Sequence, residues 1–343
     1  MDLRPTEEQT QLVEAFKDLY EDIAGPDQVR AVEPLGHSPE LWQRLVATGA
    51  IEMAVPEDAG GGGATLLDLA LVAEQHGRHV APAPLVEAQV AVRLLSRLPA
   101  GAEALAAALG GKRLVTFAVR PVKNGVATLV PGGAVAGAVI ALDDDRLLLV
   151  PVPSDVRHVV NTGAMPLADI TVGSDATVLA TGADALSTYA TGLDEWRVLT
   201  AAALVGIAQR SLEIGVAYVK ERQAFGQPIG GFQGVAHRLA DRATEIDGAQ
   251  LLAREAAWAS AEEPQRAAEL AAMAFAFAAD TARDTTYYAL HFHGGYGFML
   301  EYDAQLYFRR ARAWAGVLGE PRDSYRRVAD LRYATSASGV GVS

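Results

Sequence analysis

Four stretches of this 343-residue chain have residue types and spacings that chemistry could use. The first is Leu290 to Arg312, LHFHGGYGFMLEYDAQLYFRRAR, where His291-Phe292-His293 at a helix end meets Gly294, Gly295 and Gly297, followed by a segment rich in Tyr, Phe and Arg. Glycines let backbone N–H groups approach a ligand with no Cβ in the way, and a helix start beside them favours anionic oxygens. Alone, the pattern reads more readily as a plain helix C-cap. The second is ERQAFGQPIGGFQGVAHRLAD, Glu221 to Asp241; taken alone, its Arg222 is as well described by a surface ion pair at a helix end. The third, Gly60 to Gly63, lacks the Lys-Ser/Thr that completes a phosphate loop and reads as a flexible turn. The fourth, Asp143-Asp144-Asp145, offers three carboxylates, but adjacent acids point to different sides of a turn; a hairpin tip fits better than a cation site, and no metal is expected.

The elements that must position these residues follow from periodicity. The first ~110 residues read as helices. Thr6 with Gln9 forms a capping box ahead of Leu12, Phe16 and Leu19. Ser38-Pro39-Glu40 is a cap, a first-turn proline and an acid, opening a helix through Leu45. A helix carries Leu66 to Val72, and another, from about Val86 to Leu98, follows the break at Pro82 and Pro84. Between about Arg113 and Ala190 short Val/Ile/Leu runs replace them: Leu114 to Val119, Val139 to Leu142, Leu147 to Val152, and Val159-Val160. Long helices then return over Arg197 to Glu221, Val235 to Ser260 and Pro264 to Phe292, with a fourth from Asp303. The expected class is α+β, with an N-terminal helical domain (1–111), a small middle β domain (112–190), a C-terminal four-helix bundle (191–333) and a disordered tail (334–343).

Composition narrows the function. The net charge of −13 argues against nucleic acid or an anionic membrane surface. Zero cysteines exclude disulfides and thiolate chemistry. The charged first turns are not those of a signal peptide, and no wholly apolar run reaches the ~18 residues of a membrane span. A cytoplasmic location is expected.

Taken together, the order helices, β domain, bundle and two motifs resemble the acyl-CoA dehydrogenase family of flavoproteins. The first motif is Arg222, Phe225, Gly226, Ile229 and Gln233; the second is His291, Gly294, Gly295, Gly297, Phe298, Glu301 and Tyr302, with Arg309 in the helix beyond. ELWQRLVATGAIEMAVPEDAGGGG, from Glu40, is similar to the family's entry helices. The resemblance implies an FAD cofactor, an acyl-CoA substrate and an electron-transfer flavoprotein as acceptor. It also implies that Arg222, Phe225, Gly226, Gln233, His291, Gly294, Gly295 and Gly297 hold the ADP half of a neighbouring subunit's FAD. The chemistry suits them: a guanidinium binds a diphosphate bidentately and stays charged, Phe225 can pack on the adenosine, and Gln233 both donates and accepts. His291 stands where the family usually has Gln.

Departures from the pattern are as informative. Desaturation needs a carboxylate of raised pKa to take the α-proton. The family's two positions for it correspond to Leu318, before Gly319-Glu320-Pro321, and to Trp196; neither is an acid. Glu320 and Glu195 are the fallback bases, although Glu195 should point about 100° away from Trp196 on a helix. The flavin-facing Gly-Ser-Asp loop is missing after Thr116 to Pro121, and the Trp contact has no equivalent near Gly132 to Gly137. Residues for the ADP half of FAD are kept while those for the isoalloxazine half and the base are lost. The resemblance is therefore to the subunit without the catalytic Glu in actinobacterial α2β2 steroid-type acyl-CoA dehydrogenases, desaturating a CoA thioester beside a second subunit. A self-sufficient homotetramer and an FAD-free scaffold are the alternatives.

Overall fold

The computed structural model describes residues 3–333; the tail expected to be disordered lies outside them. The order expected from the sequence is the order observed: helices, a small sheet region, then long helices. By compactness the chain divides into two units. One holds residues up to Tyr20, Ala70–Val80 and everything from Arg197 onward; the other holds Glu21–Leu69 and Ala81–Trp196.

Local signals explain many of the helix starts. In α1 (Glu7–Ile23) the capping box is complete, Gln9 N–H donating to Thr6 Oγ1 (3.2 Å) and Thr6 N–H to Gln9 Oε1 (3.0 Å). The short α2 (Pro26–Ala31) follows, and Ser38 caps α3 (Pro39–Ala47) through Leu41 N–H. A second reciprocal box, Thr65 with Asp68, opens α4 (Leu66–Arg78) and escaped the sequence reading. After Pro84 come α5 (Leu85–Ser96) and α6 (Ala102–Leu109). Gly60 to Gly63 is a turn, as expected, in which the N–H groups of Gly61, Gly62 and Gly63 bond the carbonyls of Pro56, Glu52 and Val55. With those donors used internally, the loop has none of them left for a phosphate.

The sheet region has a four-stranded sheet in the order β1-β3-β4-β6 and a two-stranded one, β2-β5. Its strands are β1 (Val115–Phe117), β2 (Val126–Val130), β3 (Ala138–Asp143), β4 (Arg146–Pro151), β5 (Ala168–Thr171) and β6 (Thr177–Thr181). β1 and β3 run parallel, and the other pairs are antiparallel. Asp143 to Asp145 is the β3–β4 turn as expected, with Asp144 at φ 52° and Asp143 ion-paired to Arg146. Val159-Val160 is not a strand; only an isolated bridge forms there, His158 with Ala168.

The long helices also correct the reading. Helix α7 (Gly182–Glu221) starts well before Arg197; its first turns carry Asp184, Ser187, Thr191 and Asp194, which obscure the apolar stripe. By length and composition α7 would pass for a membrane span, and 72% of its apolar window is buried inside the protein. The tiny hairpin β7–β8 (Gln223–Ala224, Gln227–Pro228) leads into α8 (Gln233–Glu262) and α9 (Pro264–His293). The fourth helix, α10 (Ala304–Gly316), is short, and a further helix follows, α11 (Arg322–Tyr333). Gly319, at φ 135°, and Pro321 separate α10 from α11.

In the unit containing the long helices, α4 and α7 touch backbone to backbone. A Cβ on Gly206 would lie 2.0 Å from the Glu74 carbonyl, and one on Gly77 1.8 Å from the Ala203 carbonyl. Gly206→Ala therefore forces the helices apart and is expected to cost about 2 kcal/mol in chemical denaturation. Gly316→Ala, where an added Cβ meets nothing within 4 Å, is the control and is expected to be neutral or slightly stabilising.

Candidate functional site

Three helix ends meet at one end of the bundle. Tyr218, in the last turn of α7, stacks on His293 at the end of α9, with ring centroids 4.0 Å apart. Arg238 and Arg242, in the first turns of α8, lie over the Tyr288 ring of α9 at 5.7 and 5.6 Å. The residues that follow or start these helices, Arg222, Gln233 and Gly294, are thereby brought to the same end, and all three are exposed.

Each of the expected cofactor residues has a local reason for its conformation. Arg222 closes α7, its N–H bonded to the Tyr218 carbonyl and its own carbonyl accepting from Ile229 N–H. Those two bonds leave its side chain to project from the hairpin. Phe225 (φ 53°) and Gly226 (φ 82°) form the hairpin turn. Phe225 is 95% exposed and meets Phe232 edge-on at 6.1 Å; an aromatic ring so displayed is costly in water and well placed for a planar ligand. Gln233 is the first residue of α8, whose N-terminus has no side-chain cap. His291 lies exposed in the last turn of α9, stacked on Tyr287 at 5.6 Å.

The glycine turn needs one correction. Helix α10 begins only at Ala304, so no helix start stands beside Gly294 to Gly297. The glycines lie at the C-terminal, negative end of α9 and form a 3-10 turn, Gly294–Phe298. The positive helix end among these elements is that of α8, at Gln233. Gly294 (φ 61°, ψ −139°) adopts a backbone that only glycine takes readily. A Cβ on Gly226, Gly294 or Gly295 would meet nothing within 4 Å, so these backbones face open space. Gly297 differs: it is buried, and a Cβ there would lie 2.6 Å from the Leu290 carbonyl. Its requirement for glycine is internal packing.

These features fit the ADP half of FAD. A guanidinium and an uncapped helix N-terminus suit a diphosphate, and an exposed aromatic with an open glycine backbone suits ribose and adenine.

The positions expected for a base look different. Leu318 lines a cleft of about 110 Å³ with Gly319, Glu320, Arg197, Phe275 and Arg327, and Glu320 is exposed to solvent. Trp196 is 1% exposed, and its indole Nε1–H donates to Glu87 Oε1 at 3.1 Å. Glu195, 8% exposed, accepts from Arg93 Nε (3.0 Å) and Nη2 (3.2 Å) and from Arg97 Nη2 (2.7 Å). Burial alone would raise its pKa, but the two guanidinium charges and their hydrogen bonds outweigh it and hold the carboxyl below the usual range. That is the reverse of what a base for a weak carbon acid needs. Glu87 shows the opposite balance: burial pushes its pKa up, only partly offset by the Trp196 bond. Neither Glu87 nor the Arg93–Arg97 clamp was found by motif reading, since both come from α5, whose pattern is that of an ordinary core helix.

Comparison with known proteins shows the family. The model described as "Acyl-CoA dehydrogenase, N-terminal domain" matches residues 6–105, and "Acyl-CoA dehydrogenase, C-terminal domain" matches 186–319. The chain is 33% identical over 333 residues to the acyl-CoA dehydrogenase IpdE2 of Mycolicibacterium smegmatis, covering 94% of this chain and 98% of that protein. Among solved structures, the Tcur3481-Tcur3483 steroid ACAD G363A variant superposes with a TM-score of 0.86 at 28% identity (96% and 99% covered). The ChsE4-ChsE5 complex from Mycobacterium tuberculosis gives 0.86 at 26% identity (98% and 99% covered). The chain belongs to the acyl-CoA dehydrogenase family, whose members are FAD-dependent oxidoreductases acting on a CH–CH bond.

Proposed function

We propose that this chain is the flavin-clamping subunit of a two-chain acyl-CoA dehydrogenase that desaturates a CoA thioester, of the steroid side-chain type, at its α,β position. The observation that carries this reading is the contrast between the two sets of positions. The residues for the ADP half of FAD are gathered, exposed and open at one end of the bundle, whereas the base positions hold Leu318 and a buried, hydrogen-bonded Trp196. The names of the similar proteins support the rest: one solved relative is a steroid enzyme, another a complex of two different chains.

When bound, FAD would supply the acceptor for the β-hydride, with an electron-transfer flavoprotein as the onward acceptor. The work of this chain is to hold the flavin. Arg222 binds the diphosphate as a fixed cation, Gln233 and the N-terminus of α8 donate to phosphate or ribose oxygens, and Phe225 covers the adenosine. Gly294 and Gly295 keep the backbone low enough for close approach. The α-proton is taken by a carboxylate of the partner. Glu195, with its charge neutralised twice over, serves as a strut between α5 and α7.

The test is to purify the chain alone and with a dehydrogenase chain that carries an intact base. The expected result is one FAD per pair of chains and turnover only in the complex. Stoichiometric FAD on this chain alone, reduced by an acyl-CoA, would overturn the assignment.

A further inference from the structure

A cleft of about 430 Å³ lies between α6 and the end of α5, within the size range of small-ligand sites. Its walls are largely apolar: Leu105, Ala106 and Leu109 share one face of α6 by their spacing, and Leu95 and Leu98 come from the end of α5. Several polar groups of the lining are spent internally. The Ser96 hydroxyl donates to the Arg93 carbonyl at 2.9 Å, and the N–H groups of Ala59, Gly60 and Leu98 bond the carbonyls of Pro56, Glu57 and Leu95. Arg97, the C-cap of α5, is the one charged residue in the lining. Its charge is also in excess. Arg93 spends Nε and Nη2 on Glu195 and Nη1 on the Ala54 carbonyl, and its single positive charge already balances that carboxylate. Arg97 adds Nη2 alone, 2.7 Å from Glu195 Oε1, and Glu195 is its one side-chain hydrogen-bond partner among the described residues. Two guanidinium cations against one carboxylate leave one positive charge, carried on a side chain that is 41% exposed. A surplus cation beside an apolar cleft selects a ligand with one anionic end and an apolar body.

We propose that this cleft binds an amphipathic monocarboxylate, its carboxylate on the remaining N–H groups of Arg97 and its hydrocarbon body against Leu95, Leu98, Leu105 and Leu109. From Ala102 to Leu109 the face of α6 runs about 10 Å, which matches a chain of roughly eight carbons. An extended peptide suits the cleft poorly, because each residue would bring backbone N–H and C=O groups that the walls leave unpaired. The cleft is built from residues of one compact unit and the flavin clamp from residues of the other, so the two readings stand or fall separately.

The experiment is isothermal titration calorimetry of the full chain at neutral pH with octanoate, 1-octanol and acetate. Octanoate is expected to bind saturably, one per chain, and acetate to give no measurable heat of binding, since it lacks the apolar body. 1-Octanol, the same chain without the charge, is expected to bind about 10-fold more weakly than octanoate. Arg97→Gln is expected to weaken octanoate by about 10-fold and to leave 1-octanol unchanged, a pattern that general unfolding would not produce. Ala106→Trp, at an exposed position on the cleft wall, fills the space and is expected to abolish binding of both ligands with the melting temperature little changed. No saturable binding of octanoate, equal affinity of the native chain for octanoate and 1-octanol, or octanoate binding unchanged in both variants overturns the proposal. The comparison of the two ligands on the native chain decides even where a variant folds poorly.

Discussion

Arg222→Ala is expected to weaken FAD binding by the two-chain complex about 100-fold, close to 2.7 kcal/mol, while leaving the melting temperature of the apo complex almost unchanged. The stability half of this expectation follows from position: Arg222 is exposed, and the bonds that hold its segment in place are backbone ones, to Tyr218 and Ile229. The binding half follows from chemistry. A bidentate guanidinium–phosphate contact is among the stronger charge-assisted hydrogen bonds, and alanine removes both charge and fork. Arg222→Lys keeps the charge and loses the planar pair of donors, so its loss should be nearer 10-fold. Gln233→Ala should cost about 1 kcal/mol, the value of an uncharged hydrogen bond. Flavin fluorescence on titration of the apo complex measures all three. A complex that retains FAD equally well with alanine at both positions would show that this end of the bundle no longer holds the cofactor, and would leave the chain a scaffold.

The proposed clamp was legible in the sequence and the carboxylate environments were not, for a reason of distance along the chain. Arg222, Phe225, Gly226 and Gln233 lie within twelve residues, and the glycine turn is equally local, so short-range spacing reveals both. The helices were readable for the same reason, Thr6 with Gln9 and Ser38 with Pro39 being local devices. What spacing could not show is where a turn stands relative to a helix dipole; α10 starting at Ala304 moved the glycines from a positive helix end to a negative one. Nor could it show pairs distant in sequence. Glu87 meets Trp196 across 109 positions and Arg93 meets Glu195 across 102. On a single α5 pattern Glu87 and Arg93 look alike, two polar residues on a mostly apolar helix. Only the crossing of α5 with α7 separates their roles, sending Arg93 to Glu195 and Glu87 to its neighbour Trp196.

Arg93→Ala is expected to be among the most destabilising single substitutions in the chain, by about 3 kcal/mol at neutral pH. Arg93 is 14% exposed and binds Glu195 with two nitrogens, while its Nη1 donates to the Ala54 carbonyl at 3.2 Å. Alanine leaves the buried Glu195 carboxylate with Arg97 alone, whose side chain is 41% exposed and whose own loss should cost only about 1 kcal/mol. The pH dependence identifies the cause. In the native protein the pKa of Glu195 is held down, so the pair's contribution is fully present above the ordinary carboxylate value and is lost as pH falls through the lower, native one. Without Arg93 the burial effect is far less opposed and the pKa moves up. Protonation then relieves the variant at a pH where the native protein still keeps its ion pair, so the gap between the two should narrow on going from pH 7 to pH 4. Urea denaturation at both values decides: a gap that stays constant would assign the loss to packing and the Ala54 bond. A narrowing gap would establish that Glu195 is a charge committed to holding α5 on α7. A carboxylate so committed has no proton-transfer role to play, whichever chain supplies the base.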